Sequence, residues 1–278
     1  MQKGQIALGV GTLVLAFTLY FAGQTVQKKE NMAPRGAEGA SFEQYEQQQT
    51  AKLLPAEKQQ FSAITEAIKA ANASDTATLK KLFLQASQFW KNLGNNSMGS
   101  YYFYQYAKTD DTKPALENAG DALVSAYKSG SDSIISNNLI TFALRSYEEA
   151  LQRDGKDVEL KIKLAEVYVQ GSQEPMKGIG ILRQLADSLP TNIPVLLALG
   201  RLSIQSGQFD KAKERLQKVL QLEPQNTEAL YFLAITEAQL GHEEEAIRLF
   251  EMCKLLVGNN DFNKEIDEIV KNLKSKKV

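Results

Sequence analysis

His242, Cys253 and the run Glu243-Glu244-Glu245 are the side chains of this sequence best suited by type to chemistry. His242 is the one histidine in 278 residues and directly follows Gly241. At such a place an imidazole reads as a solvated turn residue rather than a general base or metal ligand. Cys253, the one cysteine, falls in the same pattern position as Val219 and Leu185 and so reads as a small core residue rather than a nucleophile. The three glutamates sit at the start of a helical pattern, where carboxylates offset the macrodipole; a metal site would need further converging oxygens. No phosphate-binding glycine loop and no HExxH-type pair occurs. The aromatic-rich stretch Trp90 to Tyr106 (WKNLGNNSMGSYYFYQY) is the one place where an enzymatic site could be looked for, and such clustering usually builds core. The expectation is a protein that is not an enzyme, with no cofactor, no metal and no small-molecule substrate.

Charge excludes another class. The 32 basic and 33 acidic side chains leave a net charge of -1, which gives no general surplus for neutralising a phosphate backbone, so nucleic acid is not expected as a partner. A lone cysteine forms no internal disulfide and cannot supply a thiolate zinc site. Abundant Ala, Leu, Gln, Glu and Lys and only seven prolines favour helix, so the fold class is all-α.

The elements that would carry a function emerge from self-similarity. Leu196, Leu199, Gly200, Gly207, Ala212, Leu216, Val219, Leu222 and Pro224 recur 34 residues later as Leu230, Leu233, Ala234, Gly241, Ala246, Phe250, Cys253, Leu256 and Gly258. Each has a physical task. Gly200 and Ala234 let paired helices approach, Gly207 and Gly241 end the first helix with a positive φ, and Ala212 and Ala246 sit at the crossing. The preceding unit, Val158 to Asn192, keeps Leu164, Ala165, Tyr168, Gly178, Leu182, Leu185 and Pro190, with one extra residue in the turn Gly171 to Pro175. This pattern resembles the tetratricopeptide repeat (TPR) family, whose period is 34. The resemblance implies a right-handed α-solenoid of helix-turn-helix units: three over 158–260 and degenerate ones over 80–157. In the degenerate stretch Ala86, Trp90, Gly94, Gly99 and Phe103, then Ala119, Gly120, Leu123, Ala143, Tyr147 and Ala150, hold the pattern, with an insertion around Lys128 to Asn138. Residues 41–75 are expected to be entry helices, opened by a capping box at Ser41 and Gln44 and restarted at Pro55, with Phe61, Ile64 and Ile68 on one stripe. Residues 261–278 are expected to form an amphipathic C-terminal capping helix through Phe262, Ile266, Ile269, Val270 and Leu273.

The resemblance further implies that the first helices line a concave groove that takes a protein or peptide partner. The candidates are Ile162, Glu166 and Gln170, then Leu197, Arg201 and Gln205, then Tyr231, Ile235 and Gln239. Family members that clamp a terminal carboxylate use a basic groove, and only Arg201 is present in this set, which argues against that mode.

At the other end, after a short tail over 1–5, residues Ile6 to Gly23 form an uncharged run of 18 residues. As a helix it spans roughly 27 Å, enough to cross a bilayer core. Tyr20 and Phe21 suit an interfacial belt, and Phe21-Ala22-Gly23 is a poor cleavage site, so a retained transmembrane helix is expected rather than a removed signal. Residues 24–40 have almost nothing to bury and read as a flexible tether. Lys28, Lys29 and Arg35 lean toward a cytoplasmic body, whereas a very short N-terminal tail is common in anchors that export the domain behind them; the second orientation, with a periplasmic body on a bacterial-type inner membrane, is the expectation. The functional expectation is a membrane-anchored TPR scaffold or adaptor in envelope assembly or quality control. Its alternative is a structural subunit packing permanently through its convex face.

Overall fold

The computed structural model describes residues 42–130 and 135–275. The tail 1–5, the expected span 6–23, the tether 24–40, the cap at Ser41 and the last residues, Lys276 and Lys277 among them, lie outside the described residues. No helix among the described residues is long and apolar enough to cross a membrane.

Thirteen α-helices and no strand make up the described residues, so the all-α expectation holds for them. They are α1 (Phe42–Ala51), α2 (Pro55–Ala70), α3 (Thr76–Asn92), α4 (Asn96–Asp110), α5 (Lys113–Lys128), α6 (Ser136–Arg153) and α7 (Val158–Gly171). Beyond these lie α8 (Pro175–Ser188), α9 (Ile193–Gln205), α10 (Phe209–Leu222), α11 (Thr227–Gln239), α12 (Glu243–Val257) and α13 (Asn260–Ser275). Two compact units divide the chain within α8, one holding the described residues up to Ile179 and the other those from Gly180 onward.

Five helix starts are fixed by side-chain caps that absorb a free N–H of the first turn. Asp75, Asn95, Asp157, Asn192 and Asn226 accept from the backbone N–H of Thr78, Met98, Leu160, Val195 and Ala229. Several helix ends share one recurring turn. Gly94, Gly207 and Gly241 have φ of 74°, 70° and 79°. Next to them the N–H groups of Asn95, Gln208 and His242 reach back to the carbonyls of Trp90, Ser203 and Glu237 at 2.9, 2.8 and 2.9 Å. A second bond runs from each glycine N–H to the carbonyl three residues earlier, which completes a Schellman motif.

Two boundaries differ from the sequence expectation. The Gln-rich helix α1 stops at Ala51, short of the restart at Pro55, because Leu54 precedes Pro55 and takes ψ 155°, outside the helical region. The expected insertion around Lys128 to Asn138 is shortened, since Ser136 to Asn138 already belong to α6.

In the first unit the core is aromatic. Phe61 of α2 lies 5.3 Å from Phe89, 5.0 Å from Trp90 and 5.8 Å from Tyr102 between ring centroids, while Phe42 of α1 stacks on Tyr101 at 3.7 Å. Trp90, Tyr102 and Tyr104 are buried, so the stretch considered as an enzymatic site is chiefly packing material. Helices α5 and α6 cross at Gly120, α7 and α8 at Gly178; a Cβ on these glycines would come within 2.3 Å of Tyr147 Cε1 and of the Ala165 carbonyl respectively. In the second unit the crossing of α9 and α10 is made by Gly200 under Leu216, and Ala212, Ala234 and Ala246 are fully enclosed. Helix α13 buries Ile266, Ile269, Val270 and Leu273, with Phe262 at its start 6.1 Å from Tyr231.

Candidate functional site

The nine groove candidates divide by accessibility. Ile162, Leu197, Tyr231 and Ile235 are only 7, 7, 2 and 4 % exposed. This corrects the expectation that they present side chains to a partner: in the structure they are packing residues, and Tyr231 is one of the aromatic residues around Phe250 and Phe262. Gln170 and Gln205 are exposed, and Glu166, Arg201 and Gln239 half-buried. Ile162, Glu166 and Gln170 belong to the first unit and the other six to the second. Within the second unit Arg201, Gln205 and Gln239 remain accessible on α9 and α11.

The electrostatics of these helices are largely closed. Arg201 pairs with Glu228 across α9 and α11. In the first unit Lys163 holds both Glu117 and Asp121 at 2.9 Å, and Lys113 holds Asp154 and Asp157 at 3.0 and 2.5 Å. Hydrogen bonding by the Leu160 N–H, then by Lys113, keeps the Asp157 carboxyl below the ordinary carboxylate range.

Of the chemically suggestive residues, Cys253 is fully buried, its Sγ 3.7 Å from the Thr227 carbonyl, and desolvation pushes the thiol up to about 12, the state of an inert core thiol. His242 is more than the solvated turn residue expected: it precedes α12, and its Nδ1 lies 2.6 Å from Oε2 of Glu237, a carboxylate 3 % exposed that also binds Lys213 at 2.9 Å. No sequence signal marked this trio, because Glu237 occupies a helix position where nothing distinguishes a buried carboxylate from a solvated one. No group of three or more His, Cys, Asp or Glu that could hold a metal is found among the described residues.

One further surface was not anticipated. Along α3 an open groove of about 550 Å³ is lined by Lys81, Leu84, Gln85, Ser87, Gln88 and Lys91, with Phe103 of α4 closing it. Lys91 Nζ stands 5.1 Å over the Phe103 ring. The signal was in the sequence: residues 76–110 hold four lysines and one aspartate, whereas the rest of the chain holds 28 basic and 32 acidic side chains.

Short helices packed in successive pairs, with a glycine-ended turn and small residues at the crossings, define a helix-pair repeat protein. Residues 203–255 match the family described as Tetratricopeptide repeat. Among solved structures the chain is similar to a thermophilic TPR protein of Thermus thermophilus, with 19 % identity, 68 % of this chain and 97 % of that one covered, and a TM-score of 0.48. It is also similar to MamA of Desulfovibrio magneticus RS-1, at 17 % identity, 66 % and 97 % coverage and a TM-score of 0.45. A third is YrrB, described as a TPR protein with an unusual peptide-binding site, at 16 % identity, 74 % and 98 % coverage and a TM-score of 0.42. The comparison with curated proteins returns no match.

Proposed function

We propose that this protein is a membrane-anchored TPR scaffold that holds a segment of another protein against the first helices of its repeats. The observation that carries the binding reading is the accessibility of Arg201, Gln205 and Gln239 beside the buried Leu197, Tyr231 and Ile235. A rigid apolar layer thus supports a polar, hydrogen-bonding edge, the arrangement a bound peptide uses for orientation. The anchor reading rests on the uncharged run Ile6 to Gly23, long enough as a helix to cross a bilayer core, and a body on the periplasmic side of a bacterial-type inner membrane is proposed with it.

The test of binding compares the full chain with a triple variant, Arg201→Ala, Gln205→Ala and Gln239→Ala, in quantitative affinity capture from detergent-solubilised native membranes. Selective loss of one or a few partners supports the reading; an unchanged set overturns it. For the anchor, the full chain should stay in the membrane pellet after alkaline carbonate extraction, whereas a chain lacking residues 1–23 should be released. Protection of the body from external protease in intact cells, and its digestion once the outer barrier is opened, tests the orientation.

A structural-subunit reading has one observation in its favour. Leu255 is 85 % exposed, with Leu256, Val257 and Leu222 also exposed at the ends of α12 and α10. If these residues pack permanently into a complex, Leu255→Asp disrupts assembly while the triple variant is silent.

A further inference from the structure

The α3 groove brings together two lysines, Lys81 and Lys91, on a helix that carries no carboxylate of its own. Helix α3 contains no carboxylate, and α4 only Asp110, which is already bound to Lys80 at 3.1 Å. The nearest acidic groups at the ends of the pair are likewise engaged: Asp75 accepts from the Thr78 N–H, and Asp111 pairs with Arg153. Elsewhere the cations Lys113, Lys163 and Arg201 hold carboxylates of neighbouring helices. Lys81 has no ion pair among the described residues, and Lys91 faces the π cloud of Phe103 instead of an anion.

Between these two lysines, ten residues and so roughly 15 Å apart along the helix, the floor is apolar. Leu84 is 40 % exposed, and Phe103 stacks on Tyr106 with ring centroids 5.5 Å apart. Gln85 offers an amide that can meet a peptide backbone, and Gln88 turns its amide to Asn92 at 2.6 Å. Cation, apolar floor and cation in sequence match a ligand that presents carboxylate, apolar side chain and carboxylate at the same intervals.

We infer that the α3 groove binds a short linear segment of a partner protein in which acidic residues flank one or two large apolar residues. This rests on the reading that the protein binds partner segments and names the chemistry of one such segment. The apolar side chain lies on Leu84 and Phe103, the flanking carboxylates meet Lys81 and Lys91, and Lys91 leaves the Phe103 face to do so. Charge supplies approach and register, and the apolar contact supplies residence.

The probe is a fluorescein-labelled peptide Glu-Asp-Leu-Phe-Glu-Asp, read by fluorescence anisotropy against the full chain purified in detergent. Two control peptides replace the acids by Lys and Arg, or Leu-Phe by Ser-Ser. The acidic apolar peptide should bind at least about tenfold more tightly than either control, and more weakly as salt rises. Lys81→Glu with Lys91→Glu should weaken it by at least about tenfold, and Leu84→Asp should do the same with both lysines intact. Thermal unfolding of each variant verifies the fold, and Lys81→Gln with Lys91→Gln repeats the test without introducing repulsion. Equal affinity for the Ser-Ser control, or binding unchanged in the lysine variants, overturns the inference. The Arg201, Gln205 and Gln239 variant should bind the probe normally, so a failure of partner capture there is distinguishable from a failure here.

Discussion

The ring of Tyr147 lies over Gly120 so closely that a Cβ on the glycine would stand 2.3 Å from Cε1, while the Tyr147 hydroxyl donates to Asp121 Oδ1 at 2.6 Å. The ring is therefore fixed from both ends: the backbone of α5 sets its height and the next residue of α5 holds its tip. Burial of the ring first, and then the hydrogen bond to Asp121, push the phenol pKa up, so the hydroxyl keeps its proton to donate.

Gly120→Ala should therefore destabilise, although alanine favours helix by about 1 kcal/mol over glycine. Overpacking of a pinned ring outweighs that gain, and a net loss of about 1–2 kcal/mol is expected in urea unfolding. Gly200→Ala should lose less, because its nearest neighbour is the pliable end of Leu216 at 3.0 Å. Tyr147→Leu should largely relieve the effect of Gly120→Ala in a double-mutant cycle.

The Schellman turns make a different prediction about glycine. At Gly207 and Gly241 a Cβ would meet nothing within 4 Å, but both have positive φ. Alanine there should cost about 1–2 kcal/mol through backbone strain alone. Gly155→Ala, outside the left-handed region and with an ordinary 3.5 Å neighbour, is the control and should be neutral. Equal effects at the three sites in thermal melts would show that the turns do not impose the strain.

Asp157 links stability to acid. Its carboxyl is held low by the Leu160 N–H first and Lys113 second, so the charged form is favoured by folding. The contribution is therefore complete above the unfolded value of about 4 and declines as pH falls through the lowered folded value. Asp157→Asn keeps a cap and loses the ion pair; it should be less stable than the native chain at pH 7, by roughly 0.5–1 kcal/mol for a mostly solvated pair. That difference should shrink toward zero near pH 2, measured as urea midpoints.

Cys253 has the opposite sign. Burial raises the thiol to about 12, so its contribution is complete below the unfolded value of about 8.5 and is lost as pH rises beyond it. In the folded protein at pH 8, iodoacetamide should react at least about a hundredfold more slowly than with an exposed thiol, and at the ordinary rate in urea. Rapid alkylation of the native chain would contradict the burial of this residue.

The sequence exposed the repeat where packing is repetitive. The 34-residue offset located the glycine turns, the small residues at the crossings and the buried slot of Cys253, because each is a steric requirement that only one or two residue types meet. Gly120 and Tyr147 were legible for the same reason. Contacts between distant segments were not. Phe42 against Tyr101, Tyr102 to Glu46, and Glu237 with Lys213 and His242 depend on which faces meet, and many residue types suit either face. The groove candidates show the limit most plainly. Their register on the first helices was read from the family, yet burial separates Gln205 and Gln239 from Leu197, Tyr231 and Ile235 on those helices. The α3 groove lies outside the best-matching units, and its lysine excess over 76–110 shows only in a local count.

The turn shared by Gly94, Gly207 and Gly241 gives the chain a way to change length. Each pair from α9 to α12 carries its own asparagine cap at the start, its own glycine stop in the middle and its own small residue at the crossing. A duplicated stretch of 193–226 would arrive with all three and need no adjustment in its neighbours beyond offering the same flank it received. Growth by whole pairs is then the easily tolerated genetic change, and insertion of a single residue the disruptive one.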